Sequence, residues 1–342
     1  MTAVWTRILQ AARRYPSPHN SQPIRVRIAD PDRIELYYDL DRGLPAEPYG
    51  IPFGHVCAGI FVELVAIAAH AEGSDVIENL RYDDMAFDGS DRLHPLGTIT
   101  LVPAGGPVPD LDAELIARRC TSRLPYDSRT VEPAALAQLD VEARRWGHRL
   151  ATTTDRPVVD EIVRINQRTL FDDIANPAVR HELATWLRYS HEEAARRRDG
   201  LSAACLGVPG RVLHWFVEHH TWWSRPGLRD VARWLYLRSM RGVRQLAWIT
   251  GPFATTADSV RAGRAFIRCW LLLTAHGVAM QPFGSVITNP RAHAALVAAV
   301  AENQTDPHDG QEMTWMLMRI GYSPPPPRSH RLSVDTLLVE AV

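Results

Sequence analysis

Two apolar stretches, residues 53–71 and 257–277, constrain this chain more than anything else in it. The first carries Cys57, Ile60, Phe61, Leu64, Ile67 and Ala68 at helical spacing, with Gly73 as its stop. The second is amphipathic and then apolar, with Arg264, Ile267, Arg268 and Leu271 on the helical repeat. A helix that is apolar over most of its surface must be buried, so each of these needs a partner layer. The 342 residues, 46% of them hydrophobic, are enough to supply one. Short strand patterns at 24–28, 33–40, 76–82 and 98–102 surround the first helix, and others at 149–153 and 313–320 surround the second. The order is neither a steady βαβ alternation nor all-β, which predicts an α+β layered fold.

The run Pro103-Ala-Gly-Gly-Pro-Val-Pro109 forbids regular structure and reads as an internal boundary. Residues 1–104 form a first half and 105–342 a second. Helical patterns at 112–119, 133–146, 156–171 and 179–189 open the second half. Residues 201–248 then read as an insert in which Trp215, Trp222, Trp223, Trp234 and Trp248 lie among His214, His219, His220 and many arginines. It suits a lid or an interaction surface. His214 and Glu218 stand one helical turn apart, as two metal ligands could, but the run matches no zinc-protease order, and a half-buried aromatic helix bearing surface histidines explains the same residues. No metal site is assigned.

All 38 basic residues are arginine. The absence of lysine excludes a Schiff-base lysine and a Walker-type phosphate loop, and leaves arginine for any anion. A net charge of −1 gives no electrostatic case for nucleic acid or an anionic membrane as the main partner. The four cysteines are scattered without a C-x-x-C pair, which suggests buried thiols in a reducing compartment. The first fifteen residues lack the order of a secretory signal. The longest apolar run, near residues 269–280, is broken by His276 and falls short of the ~18 residues of a membrane span. A cytoplasmic location is expected.

Three segments carry candidate chemistry. Tyr15-Pro-Ser-Pro-His-Asn-Ser-Gln-Pro23 holds Ser17, His19, Asn20 and Gln22 between rigid prolines; the groups suit the edge of a hydrogen-bonding heterocycle, and equally a capped, proline-rich turn. Arg119-Cys120-Thr121-Ser122-Arg123 alternates cation and hydroxyl, as a phosphate monoester requires or as a solvated surface presents. Four prolines, Pro324 to Pro327, then set Arg328, Ser329, His330 and Arg331 on a stiff arm. No G-x-S-x-G elbow or credible catalytic triad occurs, and no catalytic acid or base is assigned, although His19 and His276 merit testing.

Taken together, these segments resemble the nitroreductase family of flavoproteins, in its single-chain, two-half Acg type, over nearly the whole chain. Residues 17–23 look like the family's P-S-x-x-N-x-Q-P loop, 119–123 like its R-x-[ST]-x-R phosphate motif, 262–282 like its helix and turn beside the flavin, and 319–334 like its closing strand and arm. The resemblance implies an intramolecular pseudo-dimer with one flavin mononucleotide (FMN) at the junction of the halves. FMN is implied to lie on Ser17, Asn20, Gln22, Arg119, Thr121, Ser122, Arg123, Pro282, Phe283, Gly284, Arg328 and Arg331. It also implies hydride transfer through flavin N5 to or from a small aromatic or conjugated substrate, with NAD(P)H as a possible donor and the chain acting as a monomer or a homodimer. An FMN-sequestering protein with a fixed lid is the alternative. Ile24 stands where the family commonly has tryptophan, and His330 where Acg-type chains usually have a further arginine.

Overall fold

A computed structural model describes residues 2–45, 53–106, 110–223, 225, 227–301 and 312–340. The chain opens with α1 (Ala3–Ala12), then the hairpin β1 (Ile24–Asp30) and β2 (Arg33–Asp39). Next come the long helix α2 (Phe53–Ala71), β3 (Ser74–Leu80) and β4 (Leu93–Pro103). These strands form an antiparallel sheet in the order β1-β2-β4-β3. Pro103 closes β4, and residues 107–109 of the expected boundary lie outside the described residues.

After α3 (Glu114–Arg118), the same topology is built again. Helix α4 (Pro133–Arg145) leads into β5 (Arg149–Thr153). The chain then makes a long excursion through α5 (Arg156–Ala175), α6 (Pro177–Trp186), β6 (Leu187–Arg188), α7 (His191–Arg197), β7 (Leu201–Ser202), α8 (Ala203–Leu206), α9 (Gly210–Glu218), α10 (His220–Trp223) and α11 (Leu228–Ser239). It returns as β8 (Gln245–Pro252), α12 (Thr256–Ala275) and β9 (Ala279–Pro282). Helices α13 (Gly284–Thr288) and α14 (Pro290–Val300), strand β10 (Glu312–Gly321) and α15 (Val334–Leu337) complete the chain. The second sheet, again antiparallel, has the order β5-β8-β10-β9. Position by position, β5, β8, α12, β9 and β10 repeat β1, β2, α2, β3 and β4.

The repeat corrects the expected limits of the insert. It fills the place of the two-residue hairpin turn Pro31-Asp32, and so runs from residue 154 to 244 instead of 201 to 248. Trp248 is not part of it: strand β8 is buried almost throughout, and Trp248 lies in the core. An unbroken buried strand shows no alternation, which is why the pattern of Gln245–Pro252 did not read as one.

Helices α2 and α12 pack across the centre, and their glycines set the distance. A Cβ on Gly59 would lie 2.0 Å from the Val260 carbonyl oxygen, and one on Gly263 would lie 2.0 Å from that of Val56. Only glycine permits so close a crossing. The two charges α12 turns toward this seam are fully paired. Arg264 bonds Glu63 at 2.6 Å and Glu78 at 2.7 Å, while Arg268 bonds Glu63 at 2.7 Å, Asp110 at 2.8 Å and Glu142 at 2.5 Å. One continuous apolar core includes residues of both sheets and of α1, α2, α4 and α12. Helix α2, rather than residues 269–280, is long and apolar enough to cross a membrane by length and composition, and 83% of its apolar 18-residue window is buried here.

Candidate flavin site

The loop between α1 and β1 is held in a conformation its sequence does not favour. His19, Asn20 and Gln22 all have positive φ (49°, 56° and 54°), an uncommon arrangement for three side-chain-bearing residues in a row of four. Its polar groups repay that strain by fastening other segments. The Ser17 hydroxyl accepts from the Gln22 backbone N–H at 2.9 Å. Asn20 donates to the Gly200 carbonyl at 3.0 Å and to that of His330 at 3.1 Å, and its Oδ1 accepts from Arg331. Gln22 donates to the Arg198 carbonyl at 3.0 Å and accepts from the Leu332 N–H at 2.9 Å. The loop therefore clamps the C-terminal arm and the insert, and both amides are already engaged within the chain.

The arm in turn straps the second half to the first. Arg13 donates to the Leu332 carbonyl at 2.6 Å, and Val339 donates to the Val26 carbonyl at 2.9 Å, closing the free edge of β1. Arg328 is spent on the end of α3, bonding the carbonyls of Ala117 and Arg118. Its guanidinium acts as a C-terminal cap, where a cation meets unsatisfied carbonyls.

The segment Arg119 to Arg123 lies under this arm. Thr121 bridges Met280 of β9, and the buried Ser122 hydroxyl shares a 2.7 Å hydrogen bond with Ser323. Arg119 is buried, lies 4.3 Å over the ring of Trp270, and donates one bond, 3.3 Å long, to the Arg14 carbonyl. Its Nε and Nη1 are buried without a partner, as is Nε of Arg331. Arg319, inside β10, is wholly buried; it donates to the carbonyls of Ser122 and Leu124, both at 3.2 Å, and leaves its own Nε unpartnered. Arg123 makes no hydrogen bond or ion pair among the described residues.

Among the described residues no carboxylate pairs with Arg119, Arg123, Arg319, Arg328 or Arg331. By contrast Arg25, Arg188, Arg264 and Arg268 each meet a carboxylate. Burial, and then the charge of Arg331, push the Arg119 guanidinium from 12.5 down to about 9. Burial pushes Arg331 to about 10 and lowers Arg123 and Arg319 as well. Buried polar groups are ordinarily satisfied and buried charges ordinarily paired. Orphaned guanidinium nitrogens around this segment fit an anion, and a phosphate has the acceptors they lack.

On the other side of the same loop, His19 lines a cavity of about 60 Å³ with Leu170, Asp173, Ile174, Ser285, Thr288 and Asn289. It opens beside Gly284, where nothing lies within 4 Å of a would-be Cβ. Phe283 points away into the core of the second half, and Pro282 pairs with Met318 in the sheet. His276 caps α12 and bonds Gln138 at 2.8 Å. His214 and Glu218 lie 3.1 Å apart on the exposed surface, and no group of three metal-ligating side chains occurs among the described residues. Cys57, Cys205 and Cys269 are buried and unpaired, with Cys120 half-buried.

Sequence reasoning passed over Arg319 and Arg13. An arginine at an inward register of an otherwise apolar strand was the available signal for the first; Arg13 gave none, since its role depends on where the arm returns.

No family model matches the chain. Among curated proteins it is similar to a candidate NAD(P)H nitroreductase of Mycobacterium tuberculosis, found in two strains, at 28% identity over 324 residues, covering 93% of this chain and 84% of the relative. Among solved structures it is similar to a nitroreductase with bound FMN from Desulfitobacterium hafniense, at 12% identity and a TM-score of 0.38, covering 67% of this chain and 96% of that one. The FMN-dependent nitroreductase of Mycobacterium smegmatis in complex with NADPH gives 13% identity and a TM-score of 0.37, covering 63% and 92%. The similarity to that nitroreductase of Mycobacterium tuberculosis runs through 324 aligned residues, and not through one shared motif.

Proposed function

We propose that this chain is an FMN-dependent oxidoreductase that takes electrons from NAD(P)H and delivers them to a small conjugated or aromatic acceptor. The observation that carries the reading is the carboxylate-free group of buried arginines with orphaned nitrogens, beneath an arm that the α1–β1 loop clamps. In this reading Arg119 and Arg331 hold the phosphate, and the Thr121 hydroxyl adds a donor. Arg123 and Arg319 keep the surroundings cationic. Asn20 and Gln22 act one step back, by fixing the arm that bears Arg331. Bound there, FMN would supply hydride chemistry that no side chain of the protein can provide.

The ring end fits less completely than the phosphate end. A cavity of about 60 Å³ is well below the ~300–1,000 Å³ of ordinary ligand pockets. Room for the ring system would come from α5 and α6 moving away from Ser285 and Thr288. One FMN per chain follows from the broken symmetry of the repeat: eleven residues join α1 to β1, but only Trp146-Gly147-His148 join α4 to β5. Among the described residues the second half has no clamp loop of its own.

The test is anaerobic. The FMN-loaded chain mixed with NADPH should bleach at 450 nm within its turnover time and recolour when a nitroaromatic or quinone acceptor is added. Flavin that dithionite bleaches but NADPH and NADH do not would overturn the assignment as an NAD(P)H-dependent enzyme.

A further inference from the structure

Among the described residues, eleven large apolar side chains stand exposed, and eight of them lie between Val212 and Leu237. On α11 the apolar face is turned outward. Leu228, Val231, Trp234 and Leu235 form one exposed stripe along the helix, while Ala232 and Tyr236 on the opposite side pack against the cluster of Phe171, Ile174 and Trp223. Trp215 of α9 and Trp222 of α10 are also exposed, at 44% and 54%. A water-soluble helix buries such a stripe, so this face wants another apolar phase.

Its charge says which one. Residues 209–244 contain seven arginines and two acids, Glu218 and Asp230, in a chain whose net charge is −1. Arg225 lies 5.2 Å from the Trp222 ring and Arg238 lies 5.4 Å from that of Trp234, so cations rim the exposed indoles. A second copy meeting this face across a two-fold axis would set these arginines against their own equivalents, which like-charge repulsion opposes. Arginine beside tryptophan on an apolar helix face is what an interfacial helix presents to a bilayer of anionic lipid, with indoles at headgroup depth and guanidiniums on phosphates.

We infer that α9 to α11 dock this protein on the surface of an anionic membrane, with Trp215, Trp222, Trp234, Val231 and Leu235 inserted and Arg225, Arg229 and Arg238 at the headgroups. The near-neutral total charge hides this patch because the remainder of the chain is acidic in compensation.

The test is co-sedimentation of the full chain with 100-nm vesicles. Binding to 70:30 phosphatidylcholine:phosphatidylglycerol should exceed binding to pure phosphatidylcholine by roughly tenfold or more, and should fall by a similar factor between 0.1 and 0.5 M NaCl. The exposed pair Trp222→Ala/Trp234→Ala should weaken binding at least several-fold while leaving the melting temperature within a few degrees, because neither indole is buried. Equal binding with and without phosphatidylglycerol, or no binding at millimolar lipid, would overturn the inference. So would a dimer in light scattering that the double substitution dissolves, since the occupant would then be a second copy.

Discussion

Replacing Arg119 by methionine should move stability and affinity in opposite directions. Methionine keeps much of the length and removes the charge. The drop of the Arg119 guanidinium from 12.5 to about 9 corresponds to roughly 5 kcal/mol against the charged form, at ~1.4 kcal/mol per pH unit. Against that stand the bond to the Arg14 carbonyl, ~0.5–1.5 kcal/mol, and the contact with Trp270, ~1–2 kcal/mol. The apoprotein should therefore gain about 1.5–3.5 kcal/mol, a rise of roughly 2–5 °C in melting temperature for a chain of this size. The same change removes the donors at Nε and Nη1, each worth ~1.5–3 kcal/mol to a phosphate, so FMN should bind roughly 10²–10⁴-fold more weakly. The sign with pH can be worked too. The unfolded chain holds this proton more tightly than the folded one, so the penalty is complete at neutral pH and fades as pH rises through about 9. The stability difference between variant and wild type should narrow there. Scanning fluorimetry of the apoprotein and flavin-fluorescence titration measure the two effects. A lower melting temperature together with unchanged FMN affinity would refute the reasoning, because Arg119 would then be an ordinary structural residue.

Other outcomes follow from the same geometry. Riboflavin, lacking the phosphate, should bind at least roughly a hundredfold more weakly than FMN in the same titration. Arg331→Ala should weaken FMN at least tenfold, whereas Arg328→Ala, whose donors already cap α3, should change it by less than about threefold. Glu63→Ala leaves Arg264 and Arg268 short of a buried counter-charge and should cost about 3–5 kcal/mol in urea unfolding. Gly59→Ala should cost at least ~1–3 kcal/mol, by driving a methyl into the Val260 carbonyl.

The frame of this fold was legible because its helices announce themselves. The pattern of residues 53–71 gave α2 to the residue, and the wide apolar band of α12, with Arg264 and Arg268 set in it, marked a buried helix with a polar seam. Strand β8 was not legible, since a strand buried on both faces loses its alternation, and with it went the true limits of the insert. Arg119, Thr121, Arg123 and Arg331 stood out as residue types suited to an anion, but their isolation from every carboxylate is a tertiary fact. Asn20 and Gln22 show the reverse. Their chemistry suits a heterocycle edge, yet the carbonyls of Gly200, Arg198 and His330 and the N–H of Leu332, up to 310 residues away, reach them first. The membrane-facing patch was hidden by averaging, because a net charge of −1 for the whole chain conceals a strongly basic segment.

The proposed function requires one FMN held by its phosphate in the arginine group at the junction of the repeats. The most direct measurement is the cofactor itself: purify the chain, release what it holds by heat, identify it by mass spectrometry and quantify it against protein, with reconstitution of any apoprotein. FMN, non-covalent and close to one per chain, is expected. FAD in its place, two flavins per chain, or a protein that takes up no flavin on reconstitution would contradict it.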